Sequence, residues 1–206
     1  MANSLAWISM LPTPDILHQD FESGVIPPGW SNLSGAPNYG YTPALVGNFS
    51  LGLSSGDFSK TTFTSSSEAF VYMVANLGAA TGNTFFLRLY NDTSLSTVGM
   101  YLNITSDKLT VFDTGQVHSA QASALVPANT TIYIWLHYKA GSGANAILSV
   151  AWDTVNVEPT TGSKFASMNI GASTTNLGAL VLSGIAGMQV VIDNFGIATF
   201  DMPGGW

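Results

Sequence analysis

One segment, Thr131–Lys139, restricts this chain to a narrow set of folds. Every second residue in it is apolar or aromatic, and these residues are Ile132, Ile134, Leu136 and Tyr138. The residues between them, which would share the opposite face, are Tyr133, Trp135, His137 and Lys139. Alternation with a period of two over this length predicts a β-strand that packs one face against a core.

Short segments of the same kind recur along the chain and are separated by polar turn clusters. The further predicted strands cover residues 69–75, 84–90, 99–104, 108–113, 146–152, 179–183 and 188–195, and residues 196–201 extend the last one. Turn clusters rich in Gly, Asn, Ser and Thr separate them, and no helical period is visible. This pattern is typical of an antiparallel sandwich. We therefore expect a single all-β domain with helix confined to a turn or two.

Charged residues are scarce, which narrows the partners that this chain can have. They make up 8% of the 206 residues, against about 25% in an average protein. The net charge is −7 and the five basic residues are scattered, which argues against nucleic-acid binding. No apolar run approaches the roughly 18 residues of a membrane span. Without cysteine there is no disulfide framework and no Cys-based metal site.

The two ends of the predicted domain carry segments that resemble the first and last strands of a known type of fold. Residues 20–24 read Asp-Phe-Glu-Ser-Gly and lead through Pro-Pro-Gly to Trp30, while residues 190–197 read Val-Val-Ile-Asp-Asn-Phe-Gly-Ile. With residues 43–51 and the predicted hairpin of residues 134–152, they resemble the laminin-G-like and adhesin-type jelly rolls of the concanavalin A-like superfamily. The resemblance implies an antiparallel β-sandwich whose first and last strands lie side by side, and it bears on fold more than on function.

These boundaries predict three parts. Residues 20–201 form the jelly-roll domain, residues 1–19 an extended N-terminal arm, and residues 202–206 a C-terminal tail. Pro12 and Pro14 exclude regular structure from the arm. Both ends carry large apolar side chains that could dock on a partner or on the domain itself, namely Trp7, Ile8, Met10, Leu11 and Trp206.

The sequence offers no catalytic set. A glycoside hydrolase needs two carboxylates across a cleft, and Glu22, Glu68 and Glu158, the three glutamates of the chain, fall in no such motif. We therefore expect no enzymatic activity and no cofactor. One metal site is open as an alternative, because Asp20, Glu22 and Asp193 could meet where the first and last strands lie and bind Ca²⁺. The same carboxylates could instead accept hydrogen bonds at strand ends.

Carbohydrate binding would use aromatic rings as platforms for sugars. Tyr39 and Tyr41 fall in a predicted loop and Trp135 in the strand described above, so these three are the candidates. Packing in the sandwich interior is the alternative for each of them.

Two functions remain open at this point. The first is a non-enzymatic structural protein of a virus particle, such as a bacteriophage capsid-decoration or other accessory protein, bound to the major capsid protein and to copies of itself. The N-terminus lacks the basic region of a secretory signal, which favours this location in a virion. The second is a secreted or cell-surface carbohydrate-binding or adhesin module, with or without calcium.

Overall fold

A computed structural model describes residues 13–79, 83–142, 145–171, 173 and 175–202. Over these residues the chain forms fifteen β-strands in two antiparallel sheets and contains no α-helix. The predicted all-β sandwich is therefore confirmed. Within the same part of the chain there is no helix with the length and apolar character needed to cross a membrane.

The first sheet holds the strands from both ends of the domain. Its order is β13-β12-β11-β6-β15-β4-β3, and β1 pairs with β15 beside β4. Its strands are β1 (Leu17–Gln19), β3 (Asn38–Tyr41), β4 (Ser50–Leu53), β6 (Glu68–Asn76), β11 (Thr131–Lys139), β12 (Ile147–Asp153), β13 (Phe165–Asn169) and β15 (Val190–Ala198).

The second sheet is built mainly from the middle of the chain. Its order is β10-β9-β8-β7-β14-β5-β2. Its strands are β2 (Trp30–Ser34), β5 (Phe58–Ser66), β7 (Asn83–Tyr90), β8 (Val98–Thr105), β9 (Lys108–Asp113), β10 (Ser119–Gln121) and β14 (Leu177–Ser183). Because β7, β8, β9 and β10 follow one another as hairpins, their outward residues fall into rows across the sheet.

The first and last strands close the fold, as the resemblance implied. Leu17 lies opposite Ile197, and the carboxylate of Asp15 accepts bonds from the backbone N–H and the hydroxyl of Thr199. Residues 17–19 therefore belong to the sheet, which corrects their assignment to an extended arm. The tail boundary shifts as well, because Met202 is buried against the first sheet.

The core between the sheets confirms the alternation in Thr131–Lys139. Ile132, Ile134, Leu136 and Tyr138 all lie inside it. The predicted hairpin also forms, with β11 paired to β12 over seven residues of each strand. Strand alternation then sends the other set of β11 residues to the outer face of the first sheet.

Candidate functional site

The outer face of the second sheet carries a row of long side chains, which we call the open face. Lys60, Val181, Arg88, Tyr101 and Phe112 lie opposite one another on the successive strands β5, β14, β7, β8 and β9. At the usual strand spacing this row spans about 19 Å. Four of these side chains are partly exposed. The fifth, Val181, lies between Lys60 and Arg88 and is buried.

A β-bulge places an additional ring beneath Arg88. The register of β7 against β8 shifts between Phe85 and Leu87, so that Phe86 and Leu87 both point into the core. Phe85 consequently shares the outer side with Arg88, whose guanidinium carbon lies 5.7 Å from the centre of its ring. Phe85 also contacts Tyr101, with the ring centres 4.8 Å apart. The distance between Arg88 and the Phe85 ring is within the range of a cation–π contact.

Tyr90 extends the open face along β7. Burial raises the pKa of its hydroxyl, while the charge of Arg88 acts in the opposite direction and proximity to Tyr101 reinforces the increase. Tyr90 lies two residues beyond Arg88 on β7, so both side chains leave the same face of the strand. At the far edge, the side-chain amide of Gln121 donates to the hydroxyl of Thr110 at 2.8 Å, which adds a hydrogen-bonding rim.

The cations of the open face are not used in ion pairs. Lys139 pairs with Glu68 on the first sheet, and Lys164, just before β13, pairs with Asp153 of β12. The other basic residues are Lys60, Arg88 and Lys108, all on the second sheet. None of these three lies within 4.0 Å of a carboxylate of the described chain. In a protein of net charge −7, the open face therefore concentrates uncompensated positive charge.

The outer face of the first sheet, which we call the covered face, is also aromatic but is closed by chain. Tyr72 and Trp135 are buried there beneath Met202, whose carbonyl oxygen accepts a hydrogen bond from the Trp135 indole at 3.0 Å. The aromatic side chains packed around them are Phe70, Tyr133, Phe165 and Phe200. With 3% of its surface exposed, Trp135 cannot present its ring as a sugar platform in this conformation, which corrects the prediction made for it.

The two loop tyrosines have different environments. Tyr39 lies in the core at 4% exposure, and its hydroxyl contacts Ser59 Oγ at 2.6 Å, so the expectation that its ring is exposed is wrong. The sequence could not reveal this, because the buried hydroxyl of Ser59 lies on a strand that reads as polar. Tyr41 is partly exposed and lines a cleft at the edge of the first sheet. Its sugar-binding role stays a prediction.

The three predicted calcium ligands do not form one site. Among the described residues no three His, Asp or Glu side chains lie close enough to hold a metal ion together. Glu22 accepts bonds from the backbone N–H and side-chain amide of Asn48, both at 2.9 Å. Asp193 is fully buried and accepts a bond from Ser50 Oγ at 2.7 Å. Asp20 accepts a bond from the N–H of Glu22. The alternative reading of local hydrogen bonding therefore describes these groups.

Burial raises the pKa of Asp193, and its three hydrogen bonds act in the opposite direction. One of those bonds comes from the N–H of Val46 at 2.9 Å. Because Glu22 holds Asn48, the two carboxylates together fix the loop between β3 and β4. Their role in this structure is to brace that loop.

An acidic pair that the sequence did not reveal lies beside the covered face. Burial raises the pKa of Glu158 to about 7, and the charge of Asp201 and a hydrogen bond to it contribute further. The two residues are 43 positions apart in the sequence, so no local motif announces them. Asp201 immediately precedes Met202, which places the pair at the segment that covers Trp135.

The apolar side chains expected to contact partners, Trp7, Ile8, Met10, Leu11 and Trp206, lie outside the described residues. Attachment to a virion through them stays a prediction.

Comparison with known proteins adds information about the fold. No family model matches the chain, and no curated protein sequence matches it. Solved structures do match. The cellulose induced protein Cip1 shares 17% identity at a TM-score of 0.61, over 89% of this chain and 97% of that one. The botulinum neurotoxin type G receptor binding domain shares 10% identity at a TM-score of 0.60, over 94% of this chain and 50% of that one.

Two further matches are similar in kind. The botulinum neurotoxin serotype C1 binding domain shares 11% identity at a TM-score of 0.57, over 85% of this chain and 44% of that one. The alginate lyase Aly36B shares 10% identity at a TM-score of 0.51, over 93% of this chain and 99% of that one. The chain thus spans half or less of the toxin binding domains. At these identities the likeness establishes a shared β-sandwich fold.

Proposed function

We propose that this chain is a non-catalytic glycan-binding β-sandwich, and that the open face binds a polysaccharide bearing carboxylate or sulfate groups. The observation that carries the proposal is the row across the second sheet, in which Arg88 and Lys60 accompany the partly exposed rings of Tyr101 and Phe112. Flat rings suit the apolar faces of sugar rings, and a guanidinium can bind an acidic group with two parallel hydrogen bonds.

Charge supports an acidic ligand over a neutral one. Three cations without ion pairs share one face of an acidic protein. They would attract an acidic ligand, whereas a neutral ligand would leave their charges uncompensated. Nucleic acid is a weaker alternative, because a nucleic-acid site typically carries a dense basic patch, whereas the three cations here are spread over the sheet. A receptor-binding domain and an enzyme acting on alginate, an acidic polysaccharide, are among the structures of similar fold.

The experiment compares cations on the two sheets. Binding to alginate, polygalacturonate and neutral dextran is measured by affinity electrophoresis and calorimetry. Arg88→Gln and Lys60→Gln should each weaken binding to the acidic polymers, by about tenfold for Arg88, since hydrogen bonds to charged groups contribute about 1.5–3 kcal/mol. Lys139→Gln is the matched control, because it changes the net charge equally but lies on the first sheet.

Three results would overturn the proposal. They are no preference for alginate or polygalacturonate over neutral dextran, equal losses for Lys139→Gln and Arg88→Gln, and cleavage of alginate by the purified protein. The last result would mean that the face is an active site.

Binding should also weaken as salt is added, because exposed charges are screened.

A further inference from the structure

A cleft at the end of the first sheet has a chemistry unlike that of the open face. Its volume is about 380 Å³, within the range of small-molecule sites. Tyr41 at the end of β3, Asn76 at the end of β6, Gln189 just before β15 and Asn129 just before β11 meet there. We call it the Tyr41 cleft, and Ala79, Met188, Val191 and the backbone of Gly78 and Gly187 complete its described lining.

Three primary amides supply the polar groups of the Tyr41 cleft. Asn76 Oδ1 accepts a bond from the N–H of Gly78 at 3.0 Å, which fixes the orientation of this amide and directs its NH₂ group elsewhere. The backbone N–H of Asn129 donates to the carbonyl of Gly78 at 2.8 Å, so the backbone that carries the second amide is held against the same turn. Gln189 is exposed at the rim.

Gly52 makes room for the aromatic wall of this cleft. A Cβ on Gly52 would lie 2.7 Å from Tyr41 Cδ2 and 3.0 Å from Gln189 Nε2. The ring and the amide therefore rest directly on the bare backbone of β4, where Gly52 pairs with Val191. A side chain at this position would displace the Tyr41 ring and crowd the Gln189 amide.

We propose that the Tyr41 cleft binds a single neutral sugar unit. Each hydroxyl of a sugar both donates and accepts, and a primary amide offers the same two capacities. The ring of Tyr41 and the thioether of Met188 suit the less polar face of a pyranose. No lining residue that the structure describes here carries a charge, which disfavours an ionic ligand. This proposal is independent of the open face, because the cleft lies on the other sheet and takes a ligand of different charge.

The test is a titration of the ¹⁵N-labelled protein with the methyl glycosides of glucose, galactose and mannose, followed by NMR. At least one glycoside should shift the amide signals of Tyr41, Gly78, Asn129 and Gln189. Removing one amide should weaken that binding about three- to tenfold, as expected for the loss of one hydrogen bond.

Two variants, Asn129→Gly and Gln189→Ala, each remove one amide from the cleft, and a third variant is the control for the first. Asn129 has a φ of 51°, so Asn129→Gly deletes its amide at a position whose backbone conformation glycine adopts readily. Gln116, at a φ of 54°, is the control, since Gln116→Gly makes a comparable change far from the cleft. Gln189→Ala tests a second amide.

The proposal fails if no glycoside shifts these signals, if Asn129→Gly and Gln116→Gly have equal effects, or if galacturonate binds the cleft more tightly than the neutral sugars. Arg88→Gln serves to separate the two sites, because it should leave glycoside binding unchanged. Loss of glycoside binding in Arg88→Gln would mean that the cleft is not an independent site.

Discussion

The covered face and the open face both present aromatic side chains on a β-sheet, but only one of them faces solvent. On the covered face, Tyr72 and Trp135 pack beneath Met202 and the indole N–H is bonded to a carbonyl of the covering segment. On the open face, Tyr101 and Phe112 remain partly exposed and share their row with Arg88. Aromatic residues on a sheet thus stabilise the fold in one place and are free to bind in another, depending on what chain lies over them.

The largest expected effect separates stability from binding. Trp135→Ala should lower the free energy of unfolding by about 3–5 kcal/mol, because it leaves a cavity beneath Met202 and orphans a buried carbonyl. Urea unfolding measures this loss. Polysaccharide binding, measured on protein that remains folded, should not change. Weaker binding at unaltered stability would assign the binding site to the covered face.

Met202→Ala tests the covering segment itself. It should lower the free energy of unfolding by about 2 kcal/mol, which is the low end of the range for truncating a buried methionine. It should also increase quenching of tryptophan fluorescence by acrylamide, because Trp135 becomes accessible. Met168→Ala is the control, since Met168 is 37% exposed on the same sheet and does not belong to the cluster packed around Trp135. Equal quenching in the two variants would mean that residues 200–202 do not shield the ring.

One tyrosine from each face gives the most direct comparison. Tyr101→Ala should weaken binding to acidic polysaccharide about fivefold, the equivalent of roughly 1 kcal/mol for the loss of ring contact. Tyr133→Ala should leave affinity unchanged, because its ring packs against Tyr72 and Trp135. Calorimetry measures both. If Tyr133→Ala weakens binding and Tyr101→Ala does not, the two faces have been assigned in the wrong order.

The smallest effect is a pH dependence at the covering segment. The pKa of Glu158 rises from 4.5 to about 7 on folding, so between these values the folded protein holds a proton that the unfolded chain has released. This contribution to stability is present below pH 4.5 and is lost as the pH rises towards 7. Glu158→Gln should therefore flatten the decline in melting temperature over that range.

Asp201→Asn provides the companion measurement, since the charge of Asp201 is the second cause of the raised pKa. In this variant the melting temperature should stop falling at a lower pH than in the wild-type protein, because the pKa of Glu158 is raised less. A melting curve of Glu158→Gln with the same slope as the wild-type protein would show that the pair does not titrate in this range.

Much of the fold could be predicted because its strands alternate clearly. Thr131–Lys139 was predicted with its correct ends and with the correct faces. The strand β5 escaped detection because its inward positions include Ser59 and Thr61, which are buried polar residues. Their hydroxyls are satisfied by the Tyr39 hydroxyl and the carbonyl of Gly29, so a polar segment lies against the core at little cost.

The candidate site was harder to predict than the strands that carry it. Arg88 and Tyr101 lie in strands that were predicted, but their row is completed by Lys60, which reaches Arg88 only through Val181 of β14. Pairing between residues so far apart in sequence leaves no local signal. The choice of Trp135 failed for a related reason, since Met202 covers it from 67 residues away.

The bond between Asp15 and Thr199 has a consequence for how the domain can be displayed. Chain leading to residue 15 and chain leaving residue 199 meet at one place on the first sheet, while the open face belongs to the second. An anchor on either side of this junction would leave Arg88 and Tyr101, on the other sheet, uncovered in every copy. Several weak contacts along one polysaccharide would then act together, and avidity rather than the affinity of a single copy would set how firmly such an array holds its ligand.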